Sequence, residues 1–234
     1  MQWLYNDSPV RDTVVTNDRW GIGTNCQDGG FWTCQDRYNP GHLVNHAWEN
    51  CFTLETLTWG YAQNAPITQY LSVDDVIYQV VSTIAYGGNC LINVGPTSEG
   101  ISLSTLPLCL TIKSQGIIPP IFQERLFQLG AFLQINGNAI FSSIPWSIAQ
   151  AQNDVFGGVY YTSSSDSNPV IYAIVLKPSP FNGKDNTITL YAPVTTRDTM
   201  VTWLSDPSAQ IGWKALVKEN VPGEFLFVSF LCIL

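Results

Sequence analysis

Thr13-Val14-Val15-Thr16 runs straight into Asn17-Asp18-Arg19-Trp20-Gly21, and the reading of this junction decides the fold. A β-branched run that ends abruptly in Asn, Asp, Arg and Trp has the texture of a parallel barrel, in which strands deliver polar side chains to one face. The same density continues through Gly29-Gly30-Phe31-Trp32-Thr33-Cys34-Gln35-Asp36-Arg37-Tyr38 and His46-Ala47-Trp48-Glu49-Asn50, closing with Thr58-Trp59-Gly60-Tyr61. Both histidines and four of the eight tryptophans fall in this region.

Working outward, Val14 to Asn17 is expected to be a buried barrel strand, since short β-branched runs suit strands covered on both faces. Cys51 to Leu54 and Thr58-Trp59 read as short strand-like pieces, with loops at Gly21 to Gly30 and Ala62 to Pro66. Ser72 is placed to cap a helix from about Val73 to Tyr86, and Asp74 and Asp75 lie in its first turn. Val76, Ile77, Val80, Val81 and Ile84 fall on one face of that helix. Gly87-Gly88 stops it, and Cys90 to Val94 is a further buried strand. Gly87-Gly88-Asn89 is not a phosphate loop, because it closes a helix rather than opening one. A second amphipathic helix is expected over Ile121 to Ile135, stopped by Asn136-Gly137. Helix followed by buried strand is the repeating unit of an α/β barrel.

From Trp146 the pattern shifts to short runs, Val159 to Thr162, Val170 to Leu176, Thr187 to Tyr191 and Met200 to Leu204, separated by turn residues. That spacing predicts a β-sandwich. Phe225 to Leu234 is apolar except for Ser229, whereas a final sandwich strand should alternate, so this end is expected to be aberrant.

The chain has 234 residues and a formal charge of −8 with only 12% charged residues. No basic run exists to neutralise phosphates, which argues against nucleic acid. No apolar run reaches the 18 or more residues of a membrane span. The six cysteines show no C-x-x-C pair or zinc spacing, and with two histidines no metal or other cofactor is expected. Met1 to Asn6 lacks the basic and apolar regions of a signal peptide.

Taken together and in order, Asn17-Asp18-Arg19-Trp20-Gly21, the Gly29-to-Pro40 run, His46-x-Trp48-Glu49-Asn50-Cys51 and Trp59-Gly60-Tyr61 resemble the α-L-fucosidases, retaining glycosidases that remove terminal fucose. The resemblance is close from Trp3 to Trp146. It implies the C-terminal part of a (β/α)8-like barrel over residues 1–145, followed by a C-terminal β-sandwich over 146–234. It also implies a fucosylated glycan substrate, a lysosomal or secreted location, and a homo-oligomer for full-length members. The family's barrel begins further upstream, so the strand bearing its nucleophilic aspartate is expected to lie outside this chain. Residues 101–116 separate two motifs that the family joins almost directly, and read as an insertion. A second reading is a catalytically inactive splice form or pseudoenzyme that at most binds glycans or a subunit.

A retaining glycosidase needs a nucleophile and an acid/base carboxyl about 5 Å apart. The resemblance offers Asp36 and Glu49 for the acid/base role. Arg37 beside Asp36 would lower its pKa, while Trp48 beside Glu49 could give a dry, pKa-raising environment. The sequence slightly favours Asp36. Arg19 matches a fucose-binding arginine of the family, and Trp48 and His46 are candidates for substrate contact or for support of Glu49. The chain departs from the family at Ala47, where lysine is usual, and at Ala62, where arginine is frequent.

Overall fold

A parallel β–α–β unit occupies the middle of the N-terminal half. Strand β1 (Trp48–Thr53) pairs with β2 (Gly88–Asn93) from Trp48 opposite Gly88 to Thr53 opposite Asn93, and helix α2 (Val73–Ala85) crosses between them. The structure is a computed structural model that describes residues 2–97, 117–146, 154, 158–167, 169–176, 181–182, 187–188, 190, 192–193, 198–208, 211–212 and 227–232. A short helix α1 (Gln2–Asn6) precedes the unit.

Helix α2 forms where the sequence placed it because its start is chemically closed. The Asp75 backbone N–H donates to Ser72 Oγ at 3.1 Å and the Ser72 N–H donates to the Asp75 carboxylate at 3.2 Å, a reciprocal capping box. The helix buries Val76, Ile77, Val80 and Val81 against the sheet. Period-two alternation divides β1 between two sides. Trp48 and Phe52 join the core with α2, and Asn50 Nδ2 donates to Gln79 and Thr83 of that helix at 2.9 Å each. Glu49 and Cys51 therefore face the opposite side.

Trp48 dictates the residue across from it. Its indole Nε1 donates to the Tyr86 carbonyl at 3.1 Å, and its ring lies flush on the Gly88 backbone. A Cβ at position 88 would come within 2.5 Å of the Trp48 ring. Gly88→Ala should thus destabilise the protein by roughly 1–3 kcal/mol, the usual cost of overpacking, read as a lower urea midpoint at unchanged slope.

Helix α3 (Pro120–Ile140) starts with proline at its first position, where no amide donor is lost. It does not stop at Asn136-Gly137 as the sequence suggested. The buried Ala139 and Ile140 draw the last turn onto the following sheet, where Thr162 Oγ1 donates to the Ala139 carbonyl at 2.7 Å. Only at Phe141 and Ser142, the latter at φ 56°, does the chain turn away.

The remaining strands are β3 (Ser143–Pro145), β4 (Val159–Ser164), β5 (Val170–Val175), β6 (Phe181–Asn182), β7 (Thr187–Ile188), β8 (Met200–Trp203) and β9 (Phe227–Cys232). Five of them form one sheet in the order β3-β4-β5-β9-β8, and β6 pairs only with β7. Two facing sheets were expected; the described residues give one mixed sheet and a two-stranded hairpin. β9 runs parallel to both β5 and β8, a central position in which a strand need not alternate, and this fits a sequence that is apolar except for Ser229. Tyr160 and Tyr172 join the same core cluster as α2 and α3.

Two further expectations change. Val14 to Asn17 is not a strand: the Thr16 carbonyl accepts from Gly30 N–H at 2.8 Å and Phe31 N–H at 3.2 Å, two successive amides of one loop, and Val15 stays exposed. The segment 30–32 comes between it and β1, through a single parallel bridge of Trp32 with Trp48, so a continuous ladder does not develop. Thr58-Trp59 belongs to a turn rather than a strand. Residues 101–116 lie outside the described residues.

Candidate active site

The polar burst after Val15 is held from beneath by one buried carboxylate. Asp18 is fully buried, and its oxygens accept from the backbone N–H groups of Cys26 at 2.7 Å, Thr33 at 2.9 Å and Cys34 at 2.9 Å, and from Thr33 Oγ1 at 2.8 Å. Burial alone would raise its pKa. The four hydrogen bonds outweigh burial and hold it at about 2. A disulfide joins Cys26 to Cys34 around the same carboxylate. Asp18 and the two sulfurs are close enough to suggest a metal cluster, but sulfurs bonded to each other are not thiolate ligands.

This hub sets the neighbouring side chains. Gly29, at φ 92°, lies where a Cβ would meet the Asn17 carbonyl at 2.5 Å, so the loop closes tightly on the segment carrying Asp18 and Arg19. Cys26, Cys34 and Arg37 all take left-handed φ values, 56°, 46° and 57°, a concentration of strain that non-glycine residues adopt only where their surroundings enforce it. Asp36 sits between the last two.

Asp36 divides its oxygens between two donors. Arg19 Nη1 donates to Oδ1 at 2.6 Å and Trp59 Nε1 donates to Oδ2 at 3.2 Å. The Arg19 hydrogen bond is the main cause that holds its carboxyl below the usual aspartate value. Both partners of the ion pair remain open to solvent, with side chains 38% and 50% exposed, so a ligand can reach them. They line an open cleft of about 580 Å³ with Trp20, Gly21, Asn25, Cys34 and Gln35. Arg37 lies over the Trp59 ring, 5.1 Å from its centre, and donates to the Thr56 carbonyl at 2.9 Å.

Asn93, the last residue of β2, ties the cluster to the strand ends: its Nδ2 lies 3.1 Å from Thr53 Oγ1 and 2.8 Å from the Trp59 carbonyl. The cleft therefore opens near the C-terminal ends of two parallel strands. Glu49 lies at the other end of β1, where its Oε2 accepts from Asn89 Nδ2 of β2 at 2.7 Å. Cys51 connects the two regions. It lies one pleat beyond Glu49 on the same face, and its carbonyl accepts from Arg37 N–H at 3.0 Å. Its thiol is raised first by burial and then by the charges of Glu49 and Asp36. Cys90 is pushed up to about 12 by burial, and neither thiol is a thiolate nucleophile at neutral pH.

Of the residues singled out from sequence, Arg19 and Asp36 are thus in direct contact, while Glu49 is held on β1 by Asn89. Trp48 is enclosed at 2% exposure and packs edge-on against Tyr38, so it offers no face to a sugar. His46 stacks on Trp32 with ring centres 4.2 Å apart, and its Nδ1 meets the Ala47 carbonyl at 2.7 Å; Glu49 takes Asn89 instead. Sequence reading missed the roles of Asp18, Trp59 and the Cys26–Cys34 pair. The signal for Asp18 was available, because an aspartate directly after a strand-like run and before two cysteines can collect amide donors.

An ionised carboxylate, an arginine and an indole at the C-terminal ends of parallel strands make a site of the class that β/α enzymes carry. The chain belongs to the α-L-fucosidase family, whose model matches residues 1–138. It is 48% identical over 185 residues to a plasma α-L-fucosidase of Rattus norvegicus, a match covering 79% of this chain and 36% of the relative. It is 45% identical to an α-L-fucosidase of Branchiostoma floridae, covering 93% and 41%, and 37% identical to the tissue α-L-fucosidase of Homo sapiens, covering 96% and 45%. The chain spans between 36% and 45% of the length of these relatives. Among solved structures it is similar to the α-fucosidase of Thermotoga maritima, at 28% identity and a TM-score of 0.45 over 72% of this chain and 33% of that one.

Proposed function

We propose that this chain is part of a retaining α-L-fucosidase acting on terminal fucose of glycans. The parallel β1–α2–β2 unit would belong to a (β/α)8 barrel, and the mixed sheet after it to a β-sandwich domain. The observation that carries the reading is the solvent-open Arg19–Asp36 pair at 2.6 Å, in a chain of this family.

The ion pair also reassigns roles. A general acid must hold a proton near the working pH, and a guanidinium in contact with Asp36 opposes that. Glu49 has an amide donor and no ion pair among the described residues, which supports Glu49 as the acid/base. Asp36 is then the anion that orients Arg19 toward the sugar. The Cys26–Cys34 disulfide supports a secreted or lysosomal setting.

The nucleophile completing the pair would come from outside these residues. The 234-residue chain alone is expected to hydrolyse an aryl α-L-fucoside negligibly, whereas a chain extended to the length of its relatives turns over. Steady release of the aryl alcohol by the 234-residue chain alone would sink the reading.

A further inference from the structure

A second buried carboxylate lies four residues before Trp59, and the chemistry above does not use it. Glu55 is 1% exposed in a single antiparallel bridge with Tyr70, yet its carboxylate serves the exposed turn that follows it. Its Oε1 accepts from Leu57 N–H at 3.2 Å, and its Oε2 accepts from both the N–H of Thr58 and the Thr58 hydroxyl, the latter at 2.7 Å. Burial pushes its carboxyl up, and these three donors bring it below its ordinary value. Burying a charge is a costly way to close a turn, since desolvation must be offset by every bond the group makes.

What the turn delivers is the next residue, Trp59. Its indole N–H is the donor that occupies Oδ2 of Asp36 and leaves Oδ1 to Arg19. The turn is held elsewhere as well, by Asn93 on the Trp59 carbonyl and by Arg37 on the Thr56 carbonyl and over the ring. Those contacts fix the backbone or press on the indole face. Among the described residues only Glu55 closes the two amides immediately before Trp59.

We propose that Glu55 is a positioning residue of the candidate site: by closing the Leu57–Thr58 turn it aims the Trp59 indole N–H at Asp36, which fixes the direction in which Asp36 presents Arg19 to a ligand. The ligand side of this inference rests on the fucosidase reading above, while the Glu55–Trp59–Asp36 connection does not. Glu55 acts through binding rather than through the proton-transfer step, because it touches neither Glu49 nor the open cleft.

Two measurements separate the parts. The first uses the 234-residue chain with ¹⁵N-labelled tryptophan, where Trp59→Phe assigns the indole resonance. Asp36→Asn and Glu55→Gln should both move the Trp59 indole proton upfield and speed its exchange with solvent, since the first removes the carboxylate acceptor and the second releases the turn that aims the indole at it. The Trp48 indole, bonded to Tyr86, stays in place and reports that the core is intact. If Glu55→Gln costs the fold, Thr58→Ala, which removes only the hydroxyl donor, should give the same displacement in smaller measure. A Trp59 resonance left at its wild-type position in a folded variant overturns the proposal. The second measurement uses the extended, active chain: Glu55→Gln should raise KM for an aryl α-L-fucoside several-fold and leave kcat within about twofold. An equal fall in kcat with KM unchanged would also overturn it. Absence of turnover by the wild-type extended chain would refute the fucosidase reading instead, and the resonance experiment would still decide the role of Glu55.

Discussion

Glu49→Gln in the extended chain should lower kcat/KM for a fucoside with a poorly departing aglycone by about 10²–10⁴-fold, the usual contribution of general acid/base catalysis. The loss depends on the leaving group. An alkoxide cannot depart from the anomeric carbon without a proton, whereas a dinitrophenolate can. With a dinitrophenyl fucoside the first step should therefore be nearly intact in Glu49→Gln, and the glycosyl-enzyme should accumulate because no base activates the incoming water. A burst of one dinitrophenolate per site followed by slow turnover is the expected trace. Asp36→Asn should behave otherwise. It removes the anion that orients Arg19, so KM rises for good and poor leaving groups alike. A leaving-group dependence found in Asp36→Asn and missing from Glu49→Gln would restore the assignment that the sequence slightly favoured.

Asp18→Ala carries the largest expected effect on stability, roughly 3 kcal/mol. The substitution strips four donors of their acceptor, three of them in buried hydrogen bonds, and unpaired buried donors cost more than the hydrogen bonds themselves contribute. The same carboxylate makes part of the stability depend on acid. Its folded pKa of about 2 lies below the ordinary 3.8, so the native state holds the ionised form more tightly than the unfolded chain does. That contribution, about 2 kcal/mol, is complete above pH 4 and is lost as the pH falls from about 4 to about 2. Urea titrations across this range should show the acid-side loss in the wild type and a flatter profile in Asp18→Asn. An Asp18→Asn protein with the wild-type slope between pH 4 and pH 2 would remove Asp18 from the account.

Much of the α/β unit was legible in the sequence because local signals and burial agreed there. Ser72 with Asp75 marked the start of α2, and the Val76-to-Val81 face marked its buried side. At Val14 to Thr16 the β-branched pattern promised a strand, yet pairing depends on which segment arrives alongside, and residues 30–32 intervene. The Asn136-Gly137 stop failed for the opposite reason: burial of Ala139 and Ile140 outweighs a local preference. In the site, residue types were readable but directions were not. Nothing in the order Arg19, Asp36, Trp59 says that one carboxylate receives both donors, because the geometry is made by the buried Asp18 and Glu55 and by a disulfide across eight residues.

The position of β9 has a consequence for how the chain is made. It is the last of the described strands, and it lies between β5 and β8, pairing Val170 with Phe227 on one side and Met200 with Phe227 on the other. During synthesis the facing edges of β5 and β8 remain open until that segment leaves the ribosome. Through that interval their unpaired amides and carbonyls can recruit a strand from a neighbouring chain, and a β-rich edge of this kind is where misassembly starts. Chains cut short before Phe227 should therefore aggregate rather than fold into a smaller version of the sheet, and slower elongation between β8 and β9 should lower the soluble yield.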